Sequence, residues 1–156
     1  MMKRLALALC IIASIQLSAQ EVEVVKFADL QKKMLYTDAP LTVFNFWATW
    51  CGPCIKELPH FDNLENQNKN IKVYLVSIDF QSELERVKKF VAKKSLKSNV
   101  LFLDEKDPDD YMSKVSQEWS GAIPATLFVT DLGKTYFHEK AFTKEELEKT
   151  VEKYLN

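Results

Sequence analysis

Residues 41 to 47 read Leu-Thr-Val-Phe-Asn-Phe-Trp, a near-continuous apolar run interrupted by one amide, Asn45. Such a run is expected of a central strand covered on both faces of a sheet. Upstream, Phe27, Leu30, Met34 and Leu35 recur at helical spacing, and Asp38-Ala39-Pro40 makes a turn. Downstream, Pro53 suits the first turn of a helix, where its missing N–H has no intrahelical partner to lose. That helix is expected to continue through Ile55, Leu58, Phe61 and Leu64, kinked at Pro59. Ile71 to Asp79 reads as a second strand. Ser82 with Glu85 makes a capping box for a helix presenting Leu84, Val87, Phe90 and Val91. Val100 to Leu103 is a short strand, and Asp107-Pro108 opens a helix through Tyr111 and Val115. Ala125 to Thr130 is a strand that Asp131-Leu132-Gly133 turns into Lys134 to His138, an antiparallel hairpin. Thr143 with Glu146 caps a last helix bearing Leu147, Val151 and Leu155.

After its first helix the order is therefore βαβαβαββα. Strands alternating with helices imply an α/β fold, a mostly parallel sheet with helices on both faces and an antiparallel edge. The chain's 156 residues suit one such domain, with no linker or internal repeat to divide it.

The first residues follow another pattern. Lys3 and Arg4 precede an apolar run from Leu5 to Leu17, closed by Ser18-Ala19-Gln20. A positive start, a short apolar stretch and a small-residue exit describe a cleaved secretory signal over residues 1–19. The run is short for a membrane span, which takes about 17–25 residues, so the mature chain, residues 20–156, is expected to lack a transmembrane segment and to work in the periplasm or another extracytoplasmic space. Cys10 would become a lipid anchor only if cleavage fell after Leu9, a bulky residue where a small one is needed. Formal net charge is -1, and loss of Lys3 and Arg4 takes it to -3. Neither value argues for nucleic acid as a partner.

Cleavage near Ala19 leaves two cysteines, Cys51 and Cys54, in Cys51-Gly52-Pro53-Cys54. A bridge closing so short a loop contributes little as a staple, so the pair points to chemistry. At the start of a helix, Cys51 meets unpaired N–H groups and the positive end of the helix dipole, both of which stabilise a thiolate. Cys51 is then the attacking sulfur, and Cys54, one turn further in, resolves the mixed disulfide. The Gly52-Pro53 dipeptide sets the loop between them. Glu57 follows Cys54 by three residues and shares its helix face. If buried beside the sulfur it would relay a proton; if not, it is a surface glutamate. Asn45 would bond backbone or water near the site, or be a satisfied core amide. Trp50 offers an apolar docking surface, Trp47 reads as core or docking surface, and His60 and His138 as surface residues.

Phe46-Trp47-Ala48-Thr49-Trp50-Cys51-Gly52-Pro53-Cys54, Pro59, and Gly121-Ala122-Ile123-Pro124 together resemble thioredoxin from about Leu41 to the C-terminus. The resemblance implies a thioredoxin fold with a cis Pro124 facing the cysteines. It also implies that the backbone of Ile123 binds an extended substrate segment. Cytosolic thioredoxins carry aspartate where Asn45 stands. An extra helix and strand, about residues 83–103, together with Glu57, make the chain similar to the exported TlpA/ResA-type thiol:disulfide oxidoreductases. That likeness implies reduction of disulfides in exported proteins; because the compartment is oxidising, a reductase there would need a membrane electron donor, and no cofactor or bound metal is expected. Two alternatives stay open: an oxidase that donates its disulfide, and a copper(I)-handling protein that would need a third ligand from His60 or His138. A peroxiredoxin-type thiol peroxidase would place threonine three residues before the reactive cysteine, where this chain has Ala48.

Overall fold

The computed structural model describes residues 21–156. The signal segment and Cys10 lie outside the described residues. Six strands form one sheet: β1 Val22–Val25, β2 Leu41–Trp47, β3 Ile71–Ser77, β4 Asn99–Leu103, β5 Ala125–Thr130 and β6 Thr135–His138, in the order β1-β4-β3-β2-β5-β6. The first four run parallel, and β5 and β6 are antiparallel to their neighbours. The mixed sheet expected from the alternation is therefore present, and β4 sits between β3 and β1.

Helices cover both faces. α1 Phe27–Leu35 and the four-residue α5 Met112–Val115 pack against one face, through Phe27, Leu30, Met34 and Val115. α2 Gly52–Asp62, α3 Leu64–Gln67, α4 Leu84–Lys94 and α6 Lys144–Leu155 cover the other, through Leu58, Phe61, Val87, Val91, Leu147 and Val151. Strand β2 is buried at every position, sending Leu41, Val43 and Trp47 to the second face and Phe44 and Phe46 to the first. Its apolar continuity is the consequence of having no solvent side.

Four expectations change. A strand, β1, precedes the first helix and pairs in parallel with β4, from Val22 opposite Val100 to Val25 opposite Leu103. Its burial pattern leaves the two middle residues exposed, so its apolar signal is only Val22 and Val25. The Ser82–Glu85 capping box does not form. Gln81–Glu83 is a 3₁₀ turn, α4 starts at Leu84 without a side-chain cap, and Glu85 pairs with Lys88 instead. The helix expected from Asp107 to Val115 is split at Tyr111: Asp107 caps only the 3₁₀ turn Pro108–Asp110, and the buried Tyr111 packs against Phe27 and Trp119. Leu64 belongs to the separate α3, since α2 ends at Asp62.

The final capping box does form. Thr143 Oγ1 accepts the Glu146 N–H at 3.2 Å, and a Glu146 carboxyl oxygen accepts the Thr143 N–H at 2.9 Å. Thr143→Ala should lower the unfolding free energy by about 1 kcal/mol, read as a shift in the urea midpoint at unchanged slope. An unchanged midpoint would mean that α6 is held by its apolar face alone.

Candidate active site

Strand β2 delivers the Cys51-Gly52-Pro53-Cys54 motif to the C-terminal edge of the sheet, where sites of open α/β sheets gather. The Ile78 N–H bonds the Trp47 carbonyl at 2.9 Å, and the chain then turns, with the Cys51 N–H on the Ala48 carbonyl at 3.1 Å. Cys51 is the N-cap of α2, and its sulfur accepts the Cys54 N–H at 3.3 Å. The cap that a serine or aspartate usually provides is here the Cys51 sulfur itself. Cys51 and Cys54 are joined as a disulfide. Cys54 is fully buried and Cys51 nearly so, while Trp50 beside them is 54% exposed. Gly52 and Pro53 lie on the surface. A side chain at Gly52 would meet nothing within 4 Å, so the structure asks for no glycine there on steric grounds.

The loop before β5 supplies the opposite wall. Phe46 pairs with Ala125, which places Pro124 alongside the end of β2. The Ile123–Pro124 bond is cis, Pro124 is buried and Ile123 half-buried. The Ile123 carbonyl oxygen is 3.8 Å from the Cys51 sulfur. Two side chains hold this loop. The Trp119 indole N–H donates to the Ala122 carbonyl at 2.9 Å, and Glu139 accepts the Ser120 N–H at 2.7 Å along with the Ser120 hydroxyl. Trp119 is also core, tilted against Phe46 and Phe137.

Glu57 is buried, at 2% exposure. One carboxyl oxygen accepts the Phe142 N–H at 2.6 Å, and the other accepts Nδ2 of Asn45 at 2.8 Å. Burial pushes its carboxyl up to about 7, against the opposing pull of those two donors. Asn45 also donates to Thr126 Oγ1 at 3.2 Å, and its own carbonyl oxygen is buried without a partner. Turning the amide over would let that oxygen accept from a protonated Glu57 and from the Thr126 hydroxyl. The pair thus has a hydrogen-bonding answer to either charge state of the carboxyl. Glu57 is among the residues lining an open groove of about 460 Å³, together with Pro53, Lys56, His60, Phe142 and Lys144.

The structure thus gathers Cys51, Cys54, Glu57, Gly52, Pro53, Trp50, Ile123 and Pro124 around one edge of the sheet. Trp47 is wholly core, against Phe90. His138 is not a plain surface residue: its Nε2 is 2.7 Å from the Tyr154 hydroxyl, and its ring meets Phe128 and Phe142 edge-on. Sequence reasoning missed Phe142, whose contribution is a backbone N–H without any side-chain signature, and Thr126, one more β-branched residue in a strand.

A family model described as the AhpC/TSA family matches residues 11–137. The chain is 33% identical over 113 residues to the thiol-disulfide oxidoreductase ResA of Bacillus cereus, covering 70% of this chain and 60% of that protein. It thus spans about 60% of the length of that curated relative. Among solved structures it resembles a thioredoxin-related protein from Neisseria meningitidis serogroup B, with TM-score 0.65 and 20% identity over 77% of this chain and 88% of that one. It also resembles the thioredoxin domain of a thiol-disulfide oxidoreductase from Bacteroides vulgatus, with TM-score 0.58 and 26% identity over 76% and 81%.

The raised Glu57 carboxyl has a thermodynamic consequence. Below the unfolded chain's ordinary value of 4.5 both states hold the proton. As pH rises from there toward 7 the unfolded chain ionises first, so this group's contribution to stability falls through that window and is level above it. The loss is on the order of 3 kcal/mol. Glu57→Gln abolishes it, so the stability of the oxidised variant relative to wild type should rise by that amount between pH 4 and 8 in urea titrations. A constant difference across the range would show Glu57 titrating normally.

Proposed function

The chain belongs to the AhpC/TSA family as a thioredoxin-like protein of the TlpA/ResA type, and on that premise we propose that it is an exported thiol:disulfide oxidoreductase that reduces disulfides of extracytoplasmic proteins. The observation that carries the reading is a two-cysteine ring whose outer sulfur caps a helix, with a buried carboxyl, Glu57, three residues after the inner cysteine on that helix.

In the reduced enzyme the Cys51 thiolate attacks one sulfur of a client disulfide. The client S–S bond breaks, a Cys51–client disulfide forms, and the client's other sulfur leaves as a thiolate that takes up a proton. Cys54 then gives its proton to the Glu57 carboxylate and attacks the Cys51 sulfur. The mixed disulfide breaks, the second client sulfur leaves, and the Cys51–Cys54 bond closes. The client gains two electrons and the enzyme loses two. A carboxyl with its proton affinity near neutrality is suited to take the Cys54 proton and return it. Trp50 and the open Gly52-Pro53 surface receive an extended client segment. The backbone of Ile123, positioned by Pro124, bonds that segment beside the Cys51 sulfur.

Residues 1–19 would direct the chain across the membrane as a cleaved signal. Among the described residues no helix is long and apolar enough to cross a membrane. Outside the cytoplasm the surroundings are oxidising, so turnover requires a membrane partner that returns electrons to the Cys51–Cys54 pair.

Equilibration of the mature protein against glutathione or a dithiol buffer tests the direction. A potential near or below about -250 mV is expected of a reductase, whereas one near about -120 mV would reverse the reading to an oxidase. In parallel, reduced Cys54→Ser should accumulate a mixed disulfide with a client peptide that carries a disulfide, releasing the peptide's other thiol, and Cys51→Ser should form none. Absence of any redox-active disulfide would remove the exchange chemistry altogether.

A further inference from the structure

Asp79 follows the end of β3, is 3% exposed, and takes no part in the exchange steps above. Its carboxyl accepts three donors. The Thr49 N–H reaches both oxygens, at 3.1 and 3.0 Å, and the Thr49 hydroxyl donates to Oδ1 at 2.5 Å. The Ser77 hydroxyl donates to Oδ2 at 2.8 Å while accepting the N–H of Asp79 itself at 3.3 Å. Ser77 thus locks the carboxyl to β3, and the carboxyl grips Thr49.

Thr49 is the second residue of the turn closed by the Cys51 N–H on the Ala48 carbonyl. The ladder between β2 and β3 ends immediately before that turn. Between Thr49 and Cys51 stands only Trp50, which is 54% exposed. The turn that delivers the reactive sulfur to the N-terminus of α2 is therefore held, on the β3 side, by one buried side chain. Hydrogen bonds to a carboxylate are roughly twice as strong as neutral ones. Leaving their buried donors unpaired is costly.

We infer that Asp79 is a positioning residue for Cys51: through Thr49 it fixes the Ala48–Cys51 turn, keeping the Cys51 sulfur at the helix N-terminus and beside the Ile123 carbonyl. This inference rests on the exchange chemistry proposed above and adds a residue to its machinery.

The test is the second-order rate at which reduced protein reacts with a small aromatic disulfide, measured from pH 4 to 10. Asp79→Ala frees the turn and should slow the reaction by about ten- to a hundredfold. It should also raise the midpoint of the pH–rate profile by about half a pH unit, as the sulfur loses the helix terminus. Asp79→Asn keeps most of the grip, with its oxygen on the two Thr49 donors and its amide donating to the Ser77 hydroxyl, and should bring the rate back toward wild type with a midpoint no higher than wild type's. Thr49→Val, which deletes only the hydroxyl limb, should fall between wild type and Asp79→Ala, and it decides the matter if Asp79→Ala does not fold. A purely electrostatic role gives the opposite sign, because deleting a nearby negative charge lowers the midpoint in both Asp79 variants; that result overturns the inference. So does a wild-type rate in Asp79→Ala, or in Thr49→Val should that be the only variant to fold. A wild-type protein that reacts with no disulfide at all would instead sink the exchange reading on which this one stands.

Discussion

Strand β2 can be buried along its whole length only because β3 on one side and β5 on the other take up its backbone hydrogen bonds. This double pairing constrains everything at the site. In-register pairing with β3 brings Ser77 opposite Trp47 and sets Asp79 beside the turn that follows. Antiparallel pairing with β5 brings Ala125 opposite Phe46, and so sets the Ile123–Pro124 bond against the cysteines. A register slip of one residue would turn the side chains of β2 to the opposite faces and carry Asn45 away from α2.

Asn45 is the one amide in this strand, whose only other polar residue is Thr42. It faces α2, and there it meets Glu57, a carboxyl that the helix buries. A lone carboxyl under a helix would be costly. Two donors offset part of that cost, and the remainder appears as a raised proton affinity. The Phe142 N–H that bonds Glu57 belongs to the same stretch as Glu139, which holds the loop before β5. The carboxyl and the Ile123 wall are thus tied to one segment between β6 and α6.

Local signals in the chain succeeded where their cause was local. The Thr143–Glu146 box needs only residues of one turn, and it forms. The Ser82–Glu85 box has the same hydroxyl-to-glutamate spacing but fails, because the backbone at Gln81–Glu83 is already committed to a 3₁₀ turn after β3. The helix expected from Asp107 to Val115 has an adequate start signal, yet it breaks where Tyr111 is drawn into the aromatic cluster with Phe27 and Trp119. Strand β1 was invisible because its middle pair, Glu23 and Val24, is exposed, and a strand of four residues offers too short a pattern to detect.

By itself the sequence determined the α/β alternation, the central strand, the helix that begins at the cysteines, and the chemistry of a two-thiol ring. Each of these is written in hydrophobic period or in residues a few positions apart. The tertiary structure decided that Asn45 reaches Glu57, that Glu57 is buried against the Phe142 N–H, and that Asp79 reaches Thr49. These contacts span 12, 85 and 30 positions. They exist only because strand order and register place distant backbones side by side, and a linear pattern carries no record of that distance.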